Sequence, residues 1–182
     1  MVPSMGGAAV VSESRTDRPV SGRTRSEAVP PFQRFLEANR VTVYRFLLAA
    51  VGRDDADDVF QETFLSALRA YPRVHDGGRL DHWVLRIASR KAIDHHRGTA
   101  RRPSPIGVLP EVAGGSVEET TDPRDPLWGA VRSLPARQRV AVVLRHVLDR
   151  SYADIAEAMG GTEQAARANV SHGTKRLREL MT

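Results

Sequence analysis

The stretch from Thr162 to Leu180 carries the side chains best suited to reading another molecule. On a helix, Ala166, Val170, Gly173 and Leu177 fall at i, i+4, i+7 and i+11, forming one small or apolar row. Gln164, Ala168, Ser171 and Lys175 point the opposite way, flanked by Arg167, Asn169 and His172. Arg and Asn can pair with guanine and adenine edges through two hydrogen bonds at once, and Ala can approach a thymine methyl. Lys175, Arg176 and Arg178, near the end, suit phosphate oxygens. An ordinary solvated helix would show the same pattern, so the upstream residues decide. Ser151-Tyr152-Ala153-Asp154 reads as a capping-box-like start, with Asp where Glu or Gln is usual. A short helix then runs to Met159, Gly160-Gly161 turns the chain, and Thr162 is a good N-cap. A short helix, a glycine turn and a longer basic helix make a helix-turn-helix, whose second helix enters the major groove.

A second group is acidic. Segment 53–69 holds Asp54, Asp55, Asp57, Asp58 and Glu62 against Arg53 and Arg69, a net charge of −3. A metal-dependent hydrolase using these aspartates with His95 and His96 is one conceivable reading. Aspartates within a single turn splay around the axis, however, and cannot all reach one ion. No nucleophile or phosphate loop accompanies them, so no catalytic residue, metal or cofactor is expected. Complementing a helix N-terminus accounts for Asp54 and Asp55, but less well for Gln61 and Glu62. The third group is basic: segment 79–102 has a net charge of +5, and Arg86, Arg90, Asp94 and Arg97 share one helix face.

The elements that must position these groups are all helical. Phe32, Phe35, Leu36, Val43, Phe46, Leu47 and Val51 recur at helical spacing, with a skipped turn at Asn39 and a stop at Gly52. Ala56, Val59, Phe60, Phe64, Ala67, Leu68 and Tyr71 stripe a second helix that Pro72 closes. A third runs from about Leu80 to Arg97, with Leu80, Trp83, Val84, Ile87 and Ala88 inward. Pro135 suits the start of a further helix with Val140, Val143, Leu144, Val147 and Leu148 as its core stripe. No strand pattern or internal repeat is visible. The expected fold is all-α, with two small helical domains at 30–100 and 127–182. They are joined by a flexible Pro/Gly-rich linker at 101–126, in which residues 103–126 carry a net charge of −4. Residues 1–29 read as a disordered tail.

The 182 residues carry a formal net charge of +5, which favours a polyanionic partner. They contain no cysteine, which excludes disulfides and cysteine-ligated zinc. No apolar run approaches the roughly 20 residues of a membrane span, and no secretory pattern opens the chain, so the expected location is cytoplasmic.

Two blocks resemble a known family. Leu134-Pro135-Ala136-Arg137-Gln138-Arg139, Leu144-Arg145 and the run from Ser151 to Gly160 resemble region four of extracytoplasmic-function sigma factors, within the sigma-70 family. Asp57-Asp58-Val59-Phe60-Gln61-Glu62-Thr63-Phe64 is similar to the helix of region two that grips polymerase, and the run from Trp83 to Arg97 resembles its −10 segment. Together the blocks span most of residues 32–180. The family often carries Asn at the place of Ser89, and Arg at the places of Asn169 and His172, which affects base preference rather than docking.

The resemblance implies an alternative sigma factor that binds core RNA polymerase through its beta and beta-prime subunits, recognises promoter −10 and −35 elements and supports DNA opening. It assigns Asp57, Asp58, Gln61, Glu62 and Phe64 to polymerase. It assigns His75, Arg79, Arg86, Ser89, Arg90, Lys91 and Arg97 to the −10 element, with base capture near the loop from His75 to Leu80. It assigns Thr162, Gln164, Arg167, Ala168, Asn169, Ser171, His172, Lys175 and Arg176 to the −35 element. Trp83 could stack on single-stranded bases, but its place on the apolar stripe points to the core. The acidic linker would enter the polymerase interior; a solvated tether is the alternative. An anti-sigma factor is a further candidate partner. A free-standing helix-turn-helix regulator would explain residues 127–182 but leave the 54–97 block unused.

Overall fold

A computed structural model describes residues 28–99 and 126–182. The expected tail, apart from Val29 and its immediate neighbour, and almost all of the expected linker lie outside the described residues.

Among the described residues the chain forms seven α-helices and one 3-10 turn. The first unit comprises α1 (Phe32–Val51), α2 (Arg53–Ala70), the turn Tyr71–Arg73 and α3 (Leu80–Thr99). The second comprises α4 (Pro126–Ser133), α5 (Ala136–His146), α6 (Tyr152–Met159) and α7 (Glu163–Leu180).

In α1 the skipped turn at Asn39 is buried, and its side-chain amide donates to the Phe35 carbonyl at 2.8 Å, so the helix buries a polar residue with its bond made. Phe35, Val43, Phe46 and Leu47 pack with Ala56, Val59, Phe64 and Ala67 of α2 and Val84 and Ala88 of α3. Trp83 lies 5.7 Å from Phe35 and 6.0 Å from Tyr71, ring centre to ring centre, so it belongs to this aromatic core as its stripe position predicts. The Tyr71 hydroxyl donates to the Pro30 carbonyl at 2.7 Å and ties the start of α1 to the end of α2.

In the second unit α5 is central. Arg139 and the run Val140 to Leu144 are all buried, more than the single stripe the sequence suggests. A helix buried over more than one stripe must be covered on more than one side. Here α6 and α7 cover one part of it, and α1 and α3 cover another. The two units therefore share a junction, which the Pro/Gly-rich connection gave no reason to expect. α3 shows it most clearly. Leu85, Ser89, Ala92 and Ile93 are buried in addition to the expected stripe, and only a narrow strip with Arg86, Arg90, Asp94 and Arg97 stays exposed.

Candidate nucleic-acid and polymerase interfaces

The helix-turn-helix forms as its sequence requires. The Ser151 hydroxyl accepts from the Asp154 amide at 3.1 Å, and the Asp154 carboxylate accepts from the Ser151 amide at 3.3 Å, so the capping box closes with Asp in the acidic role. Hydrogen bonding from Ser151 holds the Asp154 carboxyl below the usual carboxylate range. Gly160 ends α6 in the left-handed conformation (φ 63°, ψ 47°), where a side chain would be strained. The Thr162 hydroxyl then accepts from the Ala165 amide at 3.2 Å and opens α7.

Ala166, Val170 and Gly173 are buried and Leu177 half-buried, so the inner row sits on the domain as predicted. A methyl at Gly173 would lie 2.6 Å from Val142 Cγ2 and 3.3 Å from the Gln138 carbonyl oxygen, so α7 crosses α5 at a distance only glycine allows. Outward, Gln164, Arg167, Ala168, Ser171, His172, Lys175 and Arg176 are exposed. The Arg167 guanidinium stacks over the Tyr152 ring at 4.4 Å and pairs with Glu163 one turn back. It is thus held at the outer edge of the motif rather than swinging freely. Asn169 is half-buried, and its amide donates to the Ala165 carbonyl at 2.8 Å. It must give up that bond to meet a base. His172, Lys175 and Arg176 line a shallow depression with Gln138 and Glu179.

On α2, Asp57, Asp58, Gln61 and Glu62 are exposed. Phe64 is not: it is 6% exposed and packs against Phe60 at 4.8 Å, so it supports the helix from inside. The apolar stripe placed Phe64 in the core, and in this arrangement its ring supports the acidic face of α2 from beneath. Leu68, by contrast, is 49% exposed although the sequence placed it on the stripe. Leu65, 51% exposed, was not singled out at all. Leu65 and Leu68 extend the face of Asp58, Gln61 and Glu62 at helical spacing, giving an acidic face with an apolar centre. Two exposed leucines one turn apart are the available signal, but they could be read only once the inner face was known.

Among the basic residues of the first unit, His75, Arg79, Arg86, Arg90 and Arg97 are exposed. Lys91 is half-buried and pairs with Glu62 at 3.3 Å. Ser89 is the exception: it is fully buried, and its hydroxyl has no hydrogen-bond partner among the described residues. In this arrangement its side chain is not at the surface of α3. Among the described residues no group of three or more His, Asp or Glu could hold a metal ion. No helix among them is long and apolar enough to cross a membrane.

The junction has a buried cation that sequence reasoning missed. Arg139 is 8% exposed and faces no carboxylate within ion-pair distance among the described residues. Its guanidinium donates to the carbonyls of Ala50 (3.3 Å), Leu134 (3.0 Å) and Arg132. Those carbonyls lie in the last turn of α1 and at the end of α4, where helix carbonyls lack intrahelical partners and carry partial negative charge. Burial, then the nearby Arg132, lowers the Arg139 pKa to about 10, so it remains charged at neutral pH. His96 sits beside it, with Nε2 2.9 Å from the Ala50 carbonyl and Nδ1 3.2 Å from the guanidinium. The guanidinium also lies 3.0 Å from Nε2, and a neutral ring, with one nitrogen donating and the other accepting, can serve Ala50 and Arg139 together.

Burial, then Arg139, lowers the His96 pKa to about 4, while the Ala50 bond and Asp55 oppose this and His95 adds to it. The folded form therefore holds His96 neutral in a range where the unfolded form, with a pKa near 6.5, takes up a proton. Stability is present above pH 6.5 and lost as the pH falls toward 4. Denaturant titrations at pH 7.5 and pH 5 should show this loss, and His96→Gln should remove most of it. An unchanged slope in the variant would mean that other groups carry the dependence.

Comparison with known proteins is decisive for the family. The Sigma-70 region 2 model matches residues 35–102, and the Sigma-70, region 4 model matches residues 124–177. The chain is 34% identical over 156 residues to the ECF RNA polymerase sigma factor SigD of Mycobacterium tuberculosis, covering 79% of this chain and 74% of that one. The chain belongs to the sigma-70 family. It is an alternative sigma factor of the extracytoplasmic-function group, acting in transcription initiation. The sigma factor is also 29% identical over 163 residues to CarQ of Myxococcus xanthus, covering 87% of this chain and 94% of that one. Its fold matches the sigma factor RpoE of Bartonella quintana, solved in complex with the anti-sigma factor NepR, with a TM-score of 0.65 at 24% identity, covering 82% and 96% of the two chains.

Proposed function

We propose that the described faces divide promoter recognition between them. The acidic face of α2, with Asp57, Asp58, Gln61 and Glu62 around Leu65 and Leu68, docks on core polymerase. An acidic rim around exposed apolar side chains suits a basic helical partner. The exposed strip of α3, with Arg86, Arg90 and Arg97, together with Arg79 and His75, takes the −10 strand. The outer face of α7 reads the −35 element from the major groove, with Arg167 toward bases and Lys175 and Arg176 toward phosphates. Residues 30–100 and 127–182 are the corresponding functional units, and the acidic segment 101–126 runs between them through the polymerase. We assign the protein no catalytic role, and its place of action is the cytoplasm with polymerase. An anti-sigma factor is a reasonable partner, since RpoE of Bartonella quintana was solved with one.

The observation that carries this reading is the two-sidedness of α7: an inner row seated on α5 at glycine distance, and an outer row of exposed hydrogen-bonding and basic groups. Arg167 and Lys175 should therefore fail differently. In holoenzyme selected against a promoter library, Arg167→Ala should cost roughly 1–3 kcal/mol and relax preference at one or two −35 positions. Lys175→Ala should weaken all promoters about equally and reduce the salt slope by about one counterion. An unchanged −35 preference in Arg167→Ala, with an altered one in Lys175→Ala, would place the helix differently in the groove.

A further inference from the structure

Three helices of the second unit meet at one aromatic ring. Tyr152 is the first residue of α6, directly after the Ser151 cap that fixes where this helix begins. Its side chain is half-buried and packs against the core. From α7, the Arg167 guanidinium lies 4.4 Å from the ring centre. From the last turn of α5, the Arg145 guanidinium lies 5.3 Å from it. Two cations beside one ring repel each other, yet each has an anion of its own. Arg167 pairs with Glu163, and Arg145 lies 3.6 Å from Asp149. Arg145 also donates to the Arg150 carbonyl at 3.0 Å. The negative face of the ring attracts both guanidiniums.

We propose that Tyr152 is a positioning residue for −35 recognition, its ring seating the Arg167 guanidinium so that one edge is presented to one place in the groove. This rests on the reading of Arg167 as a base-contacting residue. An exposed arginine samples many rotamers, and ordering it on DNA costs side-chain entropy. A swinging guanidinium also reaches phosphates, which strengthen binding to every sequence alike. Lying over a ring occupies the flat face of the guanidinium and leaves its N–H edge for two hydrogen bonds in its own plane. Glu163 holds one end of that edge in the free protein, until a base takes its place. The ring itself is fixed from three sides. The cap sets its backbone, the core holds its side chain, and Arg145 braces it from α5. Tyr152 thus adds selectivity without touching a base. The aromatic face, rather than the hydroxyl, carries this role.

Two readouts test the seat, one for the contact and one for its consequence. In nuclear magnetic resonance spectra of the full chain without DNA, the Arg167 side-chain protons are identified by their loss in Arg167→Ala. They should show the upfield displacement of protons held over an aromatic face. Tyr152→Phe should keep that displacement, and Tyr152→Leu, which retains apolar bulk but no ring, should abolish it. In holoenzyme selected against a promoter library, Tyr152→Leu should reduce discrimination roughly three- to tenfold at the same −35 positions that Arg167→Ala relaxes. Tyr152→Phe should stay within about twofold of the unmodified chain. In an Arg167→Ala background, Tyr152→Leu should change the base preference no further, because the two residues act as one unit. A merely structural role would instead weaken all promoters about equally, in both backgrounds. Unmoved Arg167 signals in Tyr152→Leu, or a Phe variant as impaired as the Leu variant, would overturn the proposal. Relaxed preference in Arg167→Ala with none in Tyr152→Leu would overturn the seat alone. Unchanged preference in Arg167→Ala would sink the placement of α7 in the groove, and the seat with it.

Discussion

Arg139→Ala should be strongly destabilising, with an expected loss of roughly 2–4 kcal/mol from the carbonyl acceptors it strands. The side chain donates to the Arg132 and Leu134 carbonyls at the end of α4, and it shares the Ala50 carbonyl of α1 with His96. Truncation strands the Arg132 and Leu134 carbonyls, leaves Ala50 to His96 alone and opens a void beneath α5, and each stranded group costs about 1–3 kcal/mol. Arg139→Lys should recover only part of the loss, because one ammonium cannot span carbonyls on two helices as a planar guanidinium does. Chemical denaturation followed by circular dichroism should show a lowered midpoint for Ala and an intermediate one for Lys. Equal stability of all three proteins would remove Arg139 from the junction's energetics.

Gly173→Val should destabilise the second unit by roughly 1–3 kcal/mol, the usual cost of overpacking a close contact. The colliding atoms are the Val142 methyl and the Gln138 backbone, neither of which is the end of a flexible side chain. A β-branched residue in mid-helix brings little compensation. Gly173→Ala should cost less, since the gain in helix propensity, about 1 kcal/mol, offsets part of the clash. Because α7 must tilt to relieve the contact, promoter selection should suffer beyond the loss of stability. Thermal melts of the three proteins, with run-off from a −35-dependent promoter below the melting range, separate the two effects. A Val variant with unchanged melting would mean that α5 and α7 are not held at this distance.

What the sequence made legible was whatever depends on local chemistry. Ser151 and Asp154 cap α6, Thr162 caps α7, Gly52 and Gly160 stop helices, and the inner row of α7 is where the period puts it. Trp83 followed its stripe into the core. The failures come from packing between distant segments. α3 and α5 are buried over more of their circumference than one amphipathic stripe requires, because each serves two units at once. Ser89 is buried, beyond what the stripe indicated. Arg139 left no trace because its partners are backbone carbonyls, which look alike in every sequence; a carboxylate at matching spacing would have signalled it. Phe64 and Leu68 lie at the two edges of the α2 stripe, where a small rotation decides between core and surface, and periodicity does not fix rotation that finely.

Run-off transcription with purified core polymerase, the full-length chain and a promoter library tests the central claim most directly. The expected result is initiation above core alone from a subset of promoters sharing a −35 and a −10 element, with neither element sufficient by itself. The chain without polymerase should bind the same duplexes only weakly. Initiation no greater than with core alone, together with tight and sequence-specific duplex binding by the free chain at physiological salt, would contradict it and leave a free-standing DNA-binding regulator in its place.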